Sequence, residues 1–318
     1  CGRIDRRQRF AERLVLANCA NLRVHHFIAK KTAPDFAIQT HALAGFKLVQ
    51  LVRGESLNSL GIMANGLHKI KTGSRAVWRG LRLLAHVAKG AWIVAFRFPQ
   101  LHYLQQHEHV QAWAATLLLR AGVQLQVKGL PPAQGPVLMV SNHISWLDIP
   151  LLHAARHCRF ISKSDVKGWP IIGTLATAAG TLYIQRESRR DALRMVKRMA
   201  AALQQGEVLA VFPEGTTGDG RTLLPFHANL LEAALAADAP VQPVGLRFID
   251  RATGATSFAP SYIGDETLIG SIWRTLSAPA ITAVVHFGPP EHAQGRERRA
   301  WSAHLHGVVD ALRQVDCS

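Results

Sequence analysis

The residues best suited to acid–base chemistry in this chain of 318 residues lie in Ser141-Asn142-His143-Ile144-Ser145-Trp146-Leu147-Asp148. An imidazole serves as a base near neutral pH when its second nitrogen has a partner. That partner fixes the tautomer and stabilises the cation that forms. Asp148 follows His143 by five residues, across a strand-to-helix corner, so its carboxylate can reach that nitrogen. Alone, the pair reads equally well as a helix cap beside a satisfied histidine. Ser141 and Ser145 flank the histidine, but no G-x-S-x-G elbow occurs in the chain, so a serine nucleophile is not expected.

The elements that must hold this segment follow from periodicity. Short runs rich in β-branched residues, bounded by Gly or Pro, predict strands at 123–128, 137–141, 159–162, 181–185, 208–212, 241–249 and 281–287. Between them, helices are predicted at 148–155, 170–179, 189–205, 228–237 and 298–314. In the third of these, Leu193, Val196, Met199, Ala200 and Leu203 form one stripe, and Gly206 supplies the stop. Such alternation implies an α/β domain, 122–318, with a single mixed, largely parallel sheet flanked by helices. Upstream, 63–121 reads as a membrane-associating helical pair. Residues 77–98 are apolar but interrupted by Arg79, Arg82, Lys89 and Arg97, with Trp78, Trp92 and Phe98 among them. That mixture suits a helix lying in the headgroup region better than one crossing the bilayer. A second helix is predicted from about His107 to Ala121. Residues 1–62 show no sustained period and are left out of the fold. They read either as a genuine extension or as residues upstream of an ordinary start at Met63.

Further blocks fall at strand ends, where ligand sites of α/β sheets gather. They are Gly180-Thr181-Leu182-Tyr183-Ile184-Gln185-Arg186, then Phe212-Pro213-Glu214-Gly215-Thr216, then Ala239-Pro240-Val241-Gln242-Pro243-Val244. With His143 and Asp148 in the HxxxxD spacing, these blocks resemble the glycerolipid acyltransferase family that includes the lysophosphatidic acid acyltransferases. The ordered resemblance spans roughly residues 75–290. It implies the glycerol-3-phosphate acyltransferase-like fold and a direct transfer of an acyl group from acyl-CoA or acyl carrier protein to a lyso-lipid hydroxyl. The product would be phosphatidic acid if the acceptor is 1-acylglycerol-3-phosphate.

The resemblance also implies roles. His143 deprotonates the acceptor hydroxyl, and Asp148 orients it. Asn142 shapes the turn or binds the developing oxyanion. Arg186 grips the acceptor phosphate, for which a planar guanidinium is suited. Glu214, Gly215 and Thr216 line the acceptor site together with Phe212 and Pro213. Glu214 then positions Arg186 or a hydroxyl, while Pro213 and Gly215 are as well explained by a fixed turn. Lys163, in KSDVKGWPIIG, meets the phosphates of the donor or is simply solvated. Thr217-Gly218-Asp219-Gly220-Arg221 and Ala228-Asn229 depart from the common family pattern, and the departure leaves room for a different acceptor. The TTGDG form is similar to that of members acting on lyso-ornithine lipid. A thioesterase-like hydrolysis at the same dyad is the other alternative.

Composition fits this reading. Lys and Arg total 37 against 21 Asp and Glu, a formal charge of +16. Residues 1–62 supply ten basic and four acidic side chains, or +6, leaving +10 on the remainder. Such a surface suits anions: a phosphate-bearing acceptor, coenzyme A or an acidic carrier, and the anionic cytoplasmic face of an inner membrane. No nucleic-acid motif is present, and nucleic acid is not an expected partner. Cys1, Cys19, Cys158 and Cys317 are dispersed and read as reduced thiols. His102, His107, His109, His153 and His157 lack zinc spacing, so no metal is expected. No cofactor is expected beyond the thioester co-substrate.

Overall fold

The computed structural model describes residues 45–185 and 189–314, with side chains from residue 71 onward. The chain divides into two units, residues up to Leu60 and Gly61–Ser318, and the second holds everything described below apart from the start of the first helix. Helix α1 runs Gly45–Phe96. It begins inside the segment that periodicity had set aside, with no helix end at residue 62. A 3₁₀ turn at Phe98–Gln100 leads to α2, Tyr103–Ala121. Gly122, at φ 83°, caps α2 in the left-handed region that glycine alone adopts cheaply. The two helices are clasped where the His86 ring stacks on Trp113 at 5.1 Å. Each ring there also donates to the other residue's carbonyl, at 2.9 and 3.3 Å. No helix among the described residues is long and apolar enough to cross a membrane.

From Val123 the chain alternates strand and helix. The strands are β1 Val123–Lys128, β2 Val137–Ser141, β3 Arg159–Lys163, β4 Leu182–Ile184, β5 Val208–Val211, β6 Val241–Asp250 and β7 Ile281–Phe287. They form one sheet in the order β1-β7-β6-β2-β5-β3-β4. Pairings are parallel except β6 with β7, which run antiparallel. The sheet is thus mixed and largely parallel, as the sequence implied. Its helices are α3 Asp148–Ala155, α4 Ile172–Ala178, α5 Arg189–Gln204, α6 Glu232–Ala237, α7 Leu268–Ser277 and α8 Arg298–Gln314.

Burial explains why β2 is central. All five of its residues are buried, the continuous apolar run expected of a strand covered on both faces. Met139 belongs to the core on one side, with Leu147, Leu151 and Phe248. Leu138 and Val140 belong to the other, with Met199, Leu203, Trp301 and Leu305. Cys158 sits in the first core, where burial pushes its thiol up, out of the reactive range. The α5 stripe differs from the expected one in one residue. Leu193 is exposed, and Met195 takes the inward position.

Candidate active site

Parallel pairing brings the carboxyl ends of β2, β3, β4 and β5 to one edge of the sheet. His143 emerges there two residues beyond β2, and Phe212 immediately beyond β5. Lys163 ends β3 at the same edge, exposed, while Gln185 follows β4. Arg186 lies outside the described residues.

Asp148 opens α3, where an acidic group is favoured by the helix N-terminus. Its Oδ2 lies 2.7 Å from His143 Nδ1 and also accepts the backbone N–H groups of Ile144 and Ser145, at 2.6 and 2.8 Å. As a carboxylate it can only accept, so Nδ1 is the donor, and in the neutral ring the lone pair belongs to Nε2. Asp148 is wholly buried, whereas 18% of the His143 side chain is exposed. One nitrogen is therefore anchored in the interior, and the ring as a whole still reaches solvent. Asp148 Oδ1 has no partner among the described residues.

The His143 backbone is held as firmly as its ring. Its N–H donates to Glu214 Oε1 at 2.6 Å, and its carbonyl accepts from Gly218 N at 2.8 Å. The imidazole lies flat on Phe212, ring centres 4.0 Å apart and planes within 8°. Phe212 in turn stacks on Phe160 of β3 at 5.7 Å. Such a ring pair fixes the imidazole plane and presents an electron-rich face to the cation formed on protonation.

Several residues read from sequence as acceptor contacts have other work. Glu214 is buried, and its second oxygen accepts Leu224 N at 2.9 Å. Both oxygens thus tie backbone, one from each of two loops. Burial raises its carboxyl above the usual value, opposed by those two N–H groups and by His143. The Asn142 carboxamide donates to Leu246 O and accepts from Leu246 N, at 3.0 and 2.7 Å. It thereby extends the β2–β6 ladder by one rung beyond Ser141 and faces β6, while the main chain turns away. Its polar atoms are engaged in that rung. Phe212 contacts the His143 ring itself through the stack. Pro213 is buried, and its carbonyl accepts His227 N at 2.8 Å. The turn closes through Gly215 N to Phe212 O, with Gly215 at φ 73°. Thr216 is exposed beside it.

Other contributors had no local signal. A narrow crevice beside His143 is lined by Ile144, Gly218, Gly220, Thr222, Leu223 and Arg313, together with Asn142 and Glu214. Arg313, near the end of α8, donates to the carbonyls of Gly220 and Arg221, each at 3.1 Å, and pairs with Asp310 at 2.7 Å. It straps the 218–221 loop from 92 residues away. Thr217 donates to the Tyr262 carbonyl, and Tyr262 N bonds Ile144 O at 3.0 Å. A separate cavity of about 430 Å³ lies between the end of α1, α2 and α4, lined by Val94, Phe98, Gln106, Lys167, Gly173 and Thr177 among others. Among the described residues no cluster of three or more His, Cys, Asp or Glu is placed to hold a metal ion.

These features define a class, an α/β protein with a hydrogen-bonded histidine–aspartate pair at the carboxyl edge of its sheet. The family model described as Acyltransferase matches residues 122–247. The chain is 36% identical over 230 residues to the lyso-ornithine lipid O-acyltransferase of Pseudomonas aeruginosa, covering 70% of this chain and 88% of that protein. It is 40% identical over 161 residues to the 1-acyl-sn-glycerol-3-phosphate acyltransferase of Neisseria gonorrhoeae, covering 50% of this chain and 62% of that one. In fold it is similar to the 1-acyl-sn-glycerophosphate (LPA) acyltransferase PlsC of Thermotoga maritima. The TM-score is 0.60 at 17% identity, over 79% of this chain and all of that one. The chain belongs to the acyltransferase family.

Proposed function

We propose that the chain transfers a fatty acyl group from an acyl-CoA or acyl-carrier-protein thioester to the free hydroxyl of a lyso-lipid, with His143 as general base. The observation that carries this reading is the His143 ring, anchored through Nδ1 to buried Asp148 and still partly open to solvent. Nε2 takes the hydroxyl proton as the oxygen attacks the thioester carbonyl. The C–S bond then breaks, and the departing thiolate takes the proton back. The Asp148 carboxylate and the Phe212 face both favour the intervening imidazolium.

The acceptor proposed is 1-acylglycerol-3-phosphate, giving phosphatidic acid, with Arg186 on the phosphate and Lys163 toward the donor's phosphates. Lyso-ornithine lipid is the second reading. It is favoured by the Pseudomonas aeruginosa relative, of which the chain covers 88%. The enzyme would work at the cytoplasmic face of an inner membrane. In support, α1 turns an apolar face outward: Val77, Trp78, Leu81, Leu84, Trp92 and Phe96 are each more than half exposed.

An acceptor panel, run with both acyl-CoA and acyl carrier protein, tests this directly. Ester product is expected; free fatty acid alone would turn the reading to a hydrolase. With 1-acylglycerol-3-phosphate as the better acceptor, Arg186→Ala should raise the acceptor KM at least tenfold more than the thioester KM. Equal effects on both, or faster acylation of lyso-ornithine lipid, would move the assignment to the second reading.

A further inference from the structure

Helix α7 carries one broad apolar arc, wider than the face the core covers. Inward, Leu276 is buried and Ile272 packs against the core, beside buried Ser271 and Thr275. Outward, Ile269 is 79% exposed and Trp273 51%. The uncovered part of such an arc is surface open to a further contact. The end of α7 is bolted to α1: Arg79 donates to the carbonyls of Leu276 and Ala278 at 3.0 and 2.8 Å, and Arg75 to that of Ser277 at 3.3 Å.

A second outward tip lies near the other end of α1, across the cavity that Val94 and Phe98 share with Lys167 and Gly173. There Trp169, Ile171 and Ile172 are each close to half exposed. Ile171 adopts φ 64° and ψ −53°, with Ile172 N bonded to Pro170 O at 2.6 Å. A β-branched residue pays strain at positive φ, and such strain collects at functional segments.

Charge selects the occupant. Residues 56–107 contain seven Lys or Arg and no Asp or Glu. Arg82 and Lys89 are exposed among the apolar residues of α1. On α7, Arg274 is paired with Glu266 at 3.0 Å, leaving Asp265 as the exposed acid beside it. On α1, basic side chains interleaved with exposed Trp and Leu match the interface of an anionic bilayer.

We propose that α7, through Ile269 and Trp273, and the strained 169–172 turn are second and third membrane contacts, which with α1 seat the domain on an anionic bilayer at three places. The proposal rests on the reading of α1 as a membrane-lying helix. Two additional contacts would hold the domain in one orientation and not let it swing from a single helix.

The test is co-sedimentation of the full chain with vesicles of phosphatidylcholine alone or mixed equally with phosphatidylglycerol. The Ile269→Ser/Trp273→Ser variant should partition about tenfold more weakly onto the mixed vesicles, and Trp169→Ser several-fold more weakly. Both should keep the parental melting temperature and parental activity on detergent-dispersed substrates. Leu84→Ser/Trp92→Ser probes α1 separately. If it abolishes binding while the α7 and 169–172 variants bind like the parent, the proposal falls and the α1 reading stands. If no variant weakens binding, both fall. If the α7 variant instead dissociates a dimer in size-exclusion chromatography with vesicle binding unchanged, the face belongs to a second copy and the proposal is overturned.

Discussion

Two groups of histidines in this molecule show how differently one fold can treat an imidazole. At the carboxyl edge of the sheet, His143 has a carboxylate on Nδ1 and is partly open to solvent. Around α2 and α3, His107 and His157 stack at 3.8 Å, and His153 lies 5.4 Å from His157. No carboxylate is bonded to His153 Nδ1, which is buried without a hydrogen-bond partner. Burial, helped by the neighbouring histidines, holds His153 down at about 4 and His157 at about 2. Both stay neutral and serve as packing. The two sites even touch through rings, since His153 meets Phe160 edge-on at 5.0 Å and Phe160 stacks on Phe212. Residue type is shared; the anchored charge and the open face are not.

The sharpest way to break the comparison is to remove the base. His143→Ala should lower kcat about 10²–10⁴-fold with the fold intact, whereas His153→Phe should leave kcat within a few-fold. Comparable losses in single-turnover assays would erase the distinction between the two sites. A smaller effect is expected at the ring between them. Phe212→Leu keeps the bulk but loses the stack, and kcat should fall about tenfold or less with little change in either KM. Phe212→Tyr should restore most of it. A rise in KM at constant kcat would show instead that Phe212 contacts substrate.

The third difference is read in stability. His153 titrates at about 4 when folded and near the usual 6.5 when unfolded, so the unfolded chain binds the extra proton between those values. Its contribution is therefore fully present above about pH 6.5 and is lost as pH falls toward 4. The loss from this group should reach about 2 kcal/mol between pH 7 and pH 5. Denaturant melts at the two pH values should show a flatter dependence in His153→Phe. An unchanged dependence would mean that this histidine is not held neutral.

Much of the fold was legible because buried parallel strands announce themselves. The runs 123–128, 137–141 and 281–287 match β1, β2 and β7 residue for residue. So do the helices 148–155 and 298–314. Helix α7 was missed for a physical reason. It is short, and Gly270, Ser271, Thr275 and Ser277 are indifferent helix formers, so its one-sided apolar arc runs over too few turns to stand out. Helix α1 extends far upstream of 77–98, where glycines occur but no proline interrupts it.

What the sequence determined by itself was local. His143 and Asp148 sit five residues apart, and a strand followed by a short helix suffices to bring them together. Tertiary structure decided everything whose partner is distant. Glu214 reaches His143 N across 71 residues, Asn142 reaches Leu246 across 104, and Arg313 reaches the 218–221 loop across 92. The Phe212 ring meets the imidazole only because β2 and β5 are neighbours in the sheet. Side-chain type states which bonds a residue is able to make. Which of them it makes depends on the strand order, and that is set by the burial of the whole core.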